Sequence, residues 1–196
     1  SRMVAPAAVL GAALVRAMCA VPYTVHLPPL VGGRASLNTF VAMVGPSGAG
    51  KGAACAVAAE LVPLAPLIPS VEVGSGEGMA HQYCRPAKTH ELDHDETDAR
   101  GMFWKTRAVV FNASEVDSLA ALGARNAATL DSKIRAAWSG EELGFAYAAT
   151  DKALITGAHT YRAGLIVGAQ PERAGALLDS AAGGTPQRFM WMSVTD

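Results

Sequence analysis

Val41-Ala42-Met43-Val44-Gly45-Pro46-Ser47-Gly48-Ala49-Gly50-Lys51-Gly52 joins a short apolar run to a glycine-rich turn, and an alanine-rich stretch follows it over 53–61. This reads as strand, loop and helix. Gly45, Gly50 and Lys51 fit the phosphate-loop pattern Gly-x-x-x-x-Gly-Lys-[Ser/Thr], and Gly52 stands where the hydroxyl residue is expected. Glycines let successive backbone N–H groups turn inward around a phosphate. A helix starting at Lys51 adds orphan N–H groups and the positive end of a dipole. The lysine would then reach the β- and γ-phosphates. The nucleotide-binding set expected from this stretch is Gly45, Pro46, Ser47, Gly48, Ala49, Gly50, Lys51, Gly52 and Ala53. An ordinary glycine-rich turn is the competing reading, and the strand on one side and helix on the other argue against it.

The chain has 196 residues, which suggests one domain, and 51% of them are apolar, enough for a sizeable core. A net charge of −1 gives no global basic field that would point to nucleic acid. The three cysteines, Cys19, Cys55 and Cys84, are widely spaced and form neither a disulfide framework nor a zinc pattern. A reducing cytoplasmic compartment is the simplest expectation. Residues 5–21 are apolar enough to be mistaken for a signal or membrane helix, but Arg16 interrupts them and Pro22 ends them. A buried helix is the better reading. The start at Ser1-Arg2 fits a piece of a longer protein.

Going outward from the loop, residues 5–20 read as a helix with Leu10, Leu14 and Ala17 or Met18 on one face. The proline-rich stretch 22–33 reads as an extended connector, and 36–44 as the strand feeding the loop. Pro63 stops the helix after Lys51. Residues 70–73 are a short strand candidate. Gly74-Ser75-Gly76-Glu77-Gly78 then leads into a helix over 79–83, either as a second ligand-facing turn or as a plain connection. His90-Glu91-Leu92-Asp93-His94 matches a zinc-protease pattern literally. It lies in a charged stretch where only Leu92 is apolar, so no packed amphipathic helix is expected and the match is read as chance.

Residues 107–111 form a second apolar strand, ending in Asn112-Ala113-Ser114-Glu115-Val116-Asp117. Ligands sit at the carboxyl ends of strands in open α/β sheets. Glu115 and Asp117 are therefore candidates to hold magnesium's waters and to polarise the attacking water. Either could instead be a solvated acid at a helix start. A helix over 116–122 follows. Leu130, Ile134 and Trp138 then mark the apolar face of another helix, and 143–161 suits a hairpin or excursion. A third strand over 164–169 delivers Gln170 to the same edge as Lys51 and Glu115, and Pro171 opens the next helix, which runs to about Leu178. Arg188 precedes a last strand over 189–192, as an arginine finger or as an ordinary surface arginine.

With these motifs in order, the chain resembles the P-loop ATPase domain of phage, plasmid and integrative-element replication proteins, including primase–helicase-type proteins. The resemblance rests on Ser36-Leu37-Asn38, the loop Gly45 to Gly52, Gly74-Ser75-Gly76-Glu77-Gly78 and Glu115-Val116-Asp117. It continues through Trp138-Ser139-Gly140-Glu141, Gly168-Ala169-Gln170-Pro171 and Thr185-Pro186-Gln187-Arg188-Phe189. It implies an α/β fold: a three-layer P-loop core with a mainly parallel sheet, RecA-like or AAA-like, over 36–196. An N-terminal helix and connector over 1–35 would precede it. It implies ATP and Mg2+ as ligands, single-stranded DNA as partner and a ring-shaped homo-oligomer, with no membrane and no zinc. Lys51 would be the phosphate lysine, Glu115 the catalytic acid and Gln170 the sensor of the γ-phosphate. Arg188 would reach a nucleotide across a subunit interface.

Two departures bear on chemistry. Gly52 removes a hydroxyl that binds magnesium, and Asn112 and Ser114 stand where an aspartate is expected. The leading expectation is a motor domain acting on DNA, with contacts in 143–162, where Lys152, His159 and Arg162 lie. A small-molecule or nucleotide kinase and a non-hydrolysing assembly module are the alternatives.

Overall fold

The computed structural model describes residues 3–30, 32–64, 66–116, 130–145, 154–178 and 183–195. Helix α1 (Pro6–Ala20) comes first. A small antiparallel ladder of β1 (His26–Leu27) and β2 (Ala35–Ser36) follows. Strand β3 (Thr39–Val44) leads into the loop, and α2 (Lys51–Leu61) leaves it. Next come β4 (Ser70–Glu72) and α3 (Gly76–Tyr83), then the hairpin of β5 (Cys84–Pro86) and β6 (Met102–Trp104), and β7 (Ala108–Ala113). Helix α4 is described over 130–139. Strands β8 (Leu143–Phe145) and β9 (Leu154–Thr156) pair antiparallel in the stretch read as a hairpin or excursion. The chain closes with β10 (Arg162–Ala169), α5 (Gly175–Leu178) and β11 (Phe189–Ser193).

Five strands build the central sheet in the order β11-β3-β10-β7-β4, and every pairing within it is parallel. A parallel sheet needs cover on both faces. One face is sealed by α1 and α2 through Ala8, Ala12, Val15, Val41, Met43, Ala58 and Ile166. The other is sealed by α3 and α4 through Met79, Tyr83, Leu130, Ile134, Phe40, Phe111 and Leu165. The protein is thus a three-layer α/β structure. Strand β10, whose eight residues are all buried, is its centre.

Two helical faces differ from the sequence expectation. In α1 the buried positions are Ala8, Gly11, Ala12, Val15 and Cys19, while Leu10 points outward. The helix lies so close to the sheet that a Cβ on Gly11 would come within 2.8 Å of Met192 and Val41. Contact distance therefore selects the small residues over the leucines. In α4 Ala137, not Trp138, completes the stripe with Leu130 and Ile134, and Trp138 is 39% exposed. No helix among the described residues is long and apolar enough to cross a membrane.

Candidate nucleotide site

The C-terminal edge of the sheet carries the polar groups that converge. The loop after β3 turns through Gly48 at φ 76° and Gly50 at φ 90°, a left-handed backbone that disfavours a side chain. Gly50 is also the N-cap of α2, so the N–H groups of the first helical turn face the loop without intrahelical acceptors. Lys51 begins the helix and folds back over the loop, its Nζ donating to Gly45 O at 2.8 Å and Pro46 O at 2.9 Å. Gly45 answers to packing, since a Cβ there would meet Val194 Cγ2 at 2.1 Å.

Pairing of β10 with β3 on one side and β7 on the other sets Gln170 between the loop and the acid strand. A cleft of about 340 Å³ results, lined by Ser47 to Gly52, Ser114, Glu115 and Gln170. Three expected residues, Lys51, Glu115 and Gln170, therefore meet in one place. Gly45 and Pro46 lie behind it as acceptors for the lysine, and Ala53 sits in the first turn of α2. Asp117 lies outside the described residues, as does all but Val116 of the helix expected over 116–122.

A second cleft, of about 230 Å³, adjoins the first and shares Lys51, Gly52 and Ser114 with it. Met43, Cys55 and Ile166 give it an apolar floor, and Glu72 and Asn112 line it too. Burial pushes the Cys55 thiol up, so it stays neutral. Asn112 donates to Ser70 Oγ at 2.8 Å and ties β7 to β4 at this wall. Glu72 is the residue that the sequence reading passed over. Its signal was an acid at the tip of a short strand, three residues long, whose place in the sheet only the pairing reveals.

The remaining expectations fall elsewhere. Arg188 precedes β11, at the N-terminal edge of the sheet, opposite the loop. Its Nη1 donates to Gly184 O at 2.6 Å, and its guanidinium lies 5.4 Å from the Trp138 ring centroid. The chain does not bring it to its own cleft. Arg162 is 1% exposed and bonds to carbonyls of the α1 connector, so it offers nothing to a DNA strand. Lys152 lies outside the described residues. Glu91 of the His-Glu-x-x-His stretch is held by both Arg85 guanidinium nitrogens at 2.7 and 2.6 Å, which, with a backbone N–H from Lys88, lowers its carboxyl to about 2. Its neighbours form a single 3-10 turn, Thr89–Glu91, not the helix a zinc protease uses. Ser75 caps α3 by accepting from Gly78 N at 2.9 Å, so the second glycine-rich turn is a helix start.

No family model matches the chain, and no curated protein matches it significantly.

Proposed function

We propose that the 340 Å³ cleft binds the phosphates of a nucleoside triphosphate, ATP with Mg2+, and hydrolyses it in a motor domain that acts on DNA during replication of a mobile element. The observation that carries the nucleotide reading is the meeting of Lys51, Glu115 and Gln170 around one glycine-rich loop at a helix start. The DNA and replication part rests on the sequence resemblance.

In this reading Lys51 exchanges two loop carbonyls for phosphate oxygens, a stronger charge-assisted pairing. Bound Mg2+ would neutralise charge on the phosphates. Glu115, exposed at the mouth, orients the attacking water. Gln170 stands between loop and acid and starts the turn Pro171–Arg173, so a contact with the terminal phosphate would be passed directly to the following segment. Ring assembly would give Arg188 a route to a neighbouring cleft.

The test is ATP turnover with and without single-stranded DNA, for the wild-type chain and Lys51→Ala. Removing the lysine should lower turnover by about 10²–10³-fold, the usual loss for one electrostatic stabiliser. Stimulation by AMP in place of DNA would point to a transferase. A wild-type chain that neither binds nor hydrolyses any nucleoside triphosphate overturns the proposal.

A further inference from the structure

Gly52 and Asn112 remove two groups that would hold magnesium beside a phosphate loop. A Cβ built on Gly52 meets nothing within 4 Å, so the missing side chain leaves open space and no neighbour occupies it. Gly52 lines both clefts. Going from Gly52 into the second cleft, the wall is Ser114, Asn112 and Glu72. The register Ile166↔Asn112↔Glu72 puts Asn112 and Glu72 on one row with Ile166 across β10, β7 and β4, on the sheet face that α2 covers. Ser114 Oγ donates to Glu72 Oε1 at 3.2 Å and fixes one carboxylate oxygen. Glu72 is thereby the carboxylate that shares the second cleft with position 52, supplied by the strand beyond β7.

We propose that Glu72, steadied by Ser114, holds the magnesium of a bound Mg-nucleotide through the metal's water, in place of the hydroxyl and aspartate this chain lacks. The inference rests on the nucleotide reading above. Magnesium suits this donor set: it keeps several waters and takes one or two carboxylates plus substrate phosphates rather than an all-protein cage. Glu115 lies in the other cleft, beside Gln170, and is left to the attacking water. The two acids line different clefts, and Lys51 lines both.

The test uses the whole chain and a fluorescent ATP analogue, with affinity measured in EDTA and across a magnesium titration. The wild type should bind more tightly with magnesium. In Glu72→Gln the half-saturating magnesium concentration should rise about 10- to 100-fold, as for loss of a group supporting a metal. Its affinity in EDTA should hold or improve, because a negative charge near the phosphates is gone. Adding Gly52→Ser to Glu72→Gln should recover much of the magnesium response, since the new hydroxyl enters open space. A Glu72→Gln chain with the full wild-type magnesium response overturns the assignment while leaving nucleotide binding intact. Equal loss in EDTA and magnesium also overturns it, by showing that Glu72 serves the nucleotide or the fold. A wild-type chain that binds no analogue under either condition overturns the nucleotide reading, and this assignment with it.

Discussion

The two edges of the sheet spend their polar residues differently. At the C-terminal edge Lys51 bonds, among the described residues, to carbonyls of its own loop, and Glu115 and Gln170 line an open cleft. At the N-terminal edge the polar groups hold one element to another. Asn38, 6% exposed, donates to Ala137 O at 2.6 Å and accepts from Ala163 N at 3.0 Å, which joins α4 to β10. Arg162 gathers the carbonyls of Val21, Pro22 and Val25 below the end of α1. Tyr83 OH donates to Arg162 O, and Tyr161 OH to Glu141 O. One edge has fixed its polar groups in the fold, and the other keeps Lys51, Glu115 and Gln170 around an open cleft. The contrast predicts that stability and ligand binding separate along the strand direction.

The most damaging change should be Arg162→Met. Burial already pulls the guanidinium's pKa down, and no carboxylate faces it among the bonds it makes. Removing it strands three carbonyls, with an expected loss of about 3 kcal/mol of unfolding free energy. Urea denaturation reads that loss, and nucleotide affinity of the folded chain should stay within about twofold, since the site is at the other edge. A variant as stable as wild type but unable to bind nucleotide would erase the distinction between the edges. Asn38→Ala comes next, at about 2 kcal/mol for two buried hydrogen bonds whose partners are left unpaired. Lys51→Ala is the converse: a large loss of turnover with a near-native urea midpoint, because its bonds among the described residues go to its own loop.

These residues also show what the sequence could reveal. The loop, its strand and its helix were legible because glycine spacing, apolar run and alanine-rich stretch are local signals. The convergence of Lys51, Glu115 and Gln170 followed from placing each at a strand tip. Strand order was not legible, because parallel pairing is non-local: Glu72 became a site candidate only once β4 paired with β7. Arg162 read as a free basic residue, and its burial depends on where α1 ends, 140 residues away in sequence from its Pro22 contact. The faces of α1 and α4 were misjudged for a different reason. Apolar periodicity favours the side of α1 that carries the leucines, whereas the close approach of that helix to the sheet puts its small residues inward, as at Gly11.

The smallest effect is a pH dependence confined to the holding edge. His159 sits at φ 58°, and its Nδ1 meets Ser36 Oγ at 2.9 Å, pinning the β1–β2 ladder to the turn before β10. Burial, then Arg34 and His26, lowers its pKa below the usual histidine value, while Glu141 opposes them. The unfolded chain therefore takes up a proton at a higher pH than the folded one. By linkage, stability is fully present above the ordinary pKa of about 6.5 and declines as pH falls through that value toward the folded one. Glu91, whose carboxyl is at about 2, contributes its own loss only at much lower pH. Urea midpoints at pH 7.5 and 5.5 should thus fall for the wild type. His159→Asn, which tolerates the left-handed backbone, should flatten the difference. An equal fall in both proteins would assign the slope elsewhere. A fall accompanied by lost nucleotide affinity at pH 5.5, absent in His159→Asn, would mean the two edges communicate through β10.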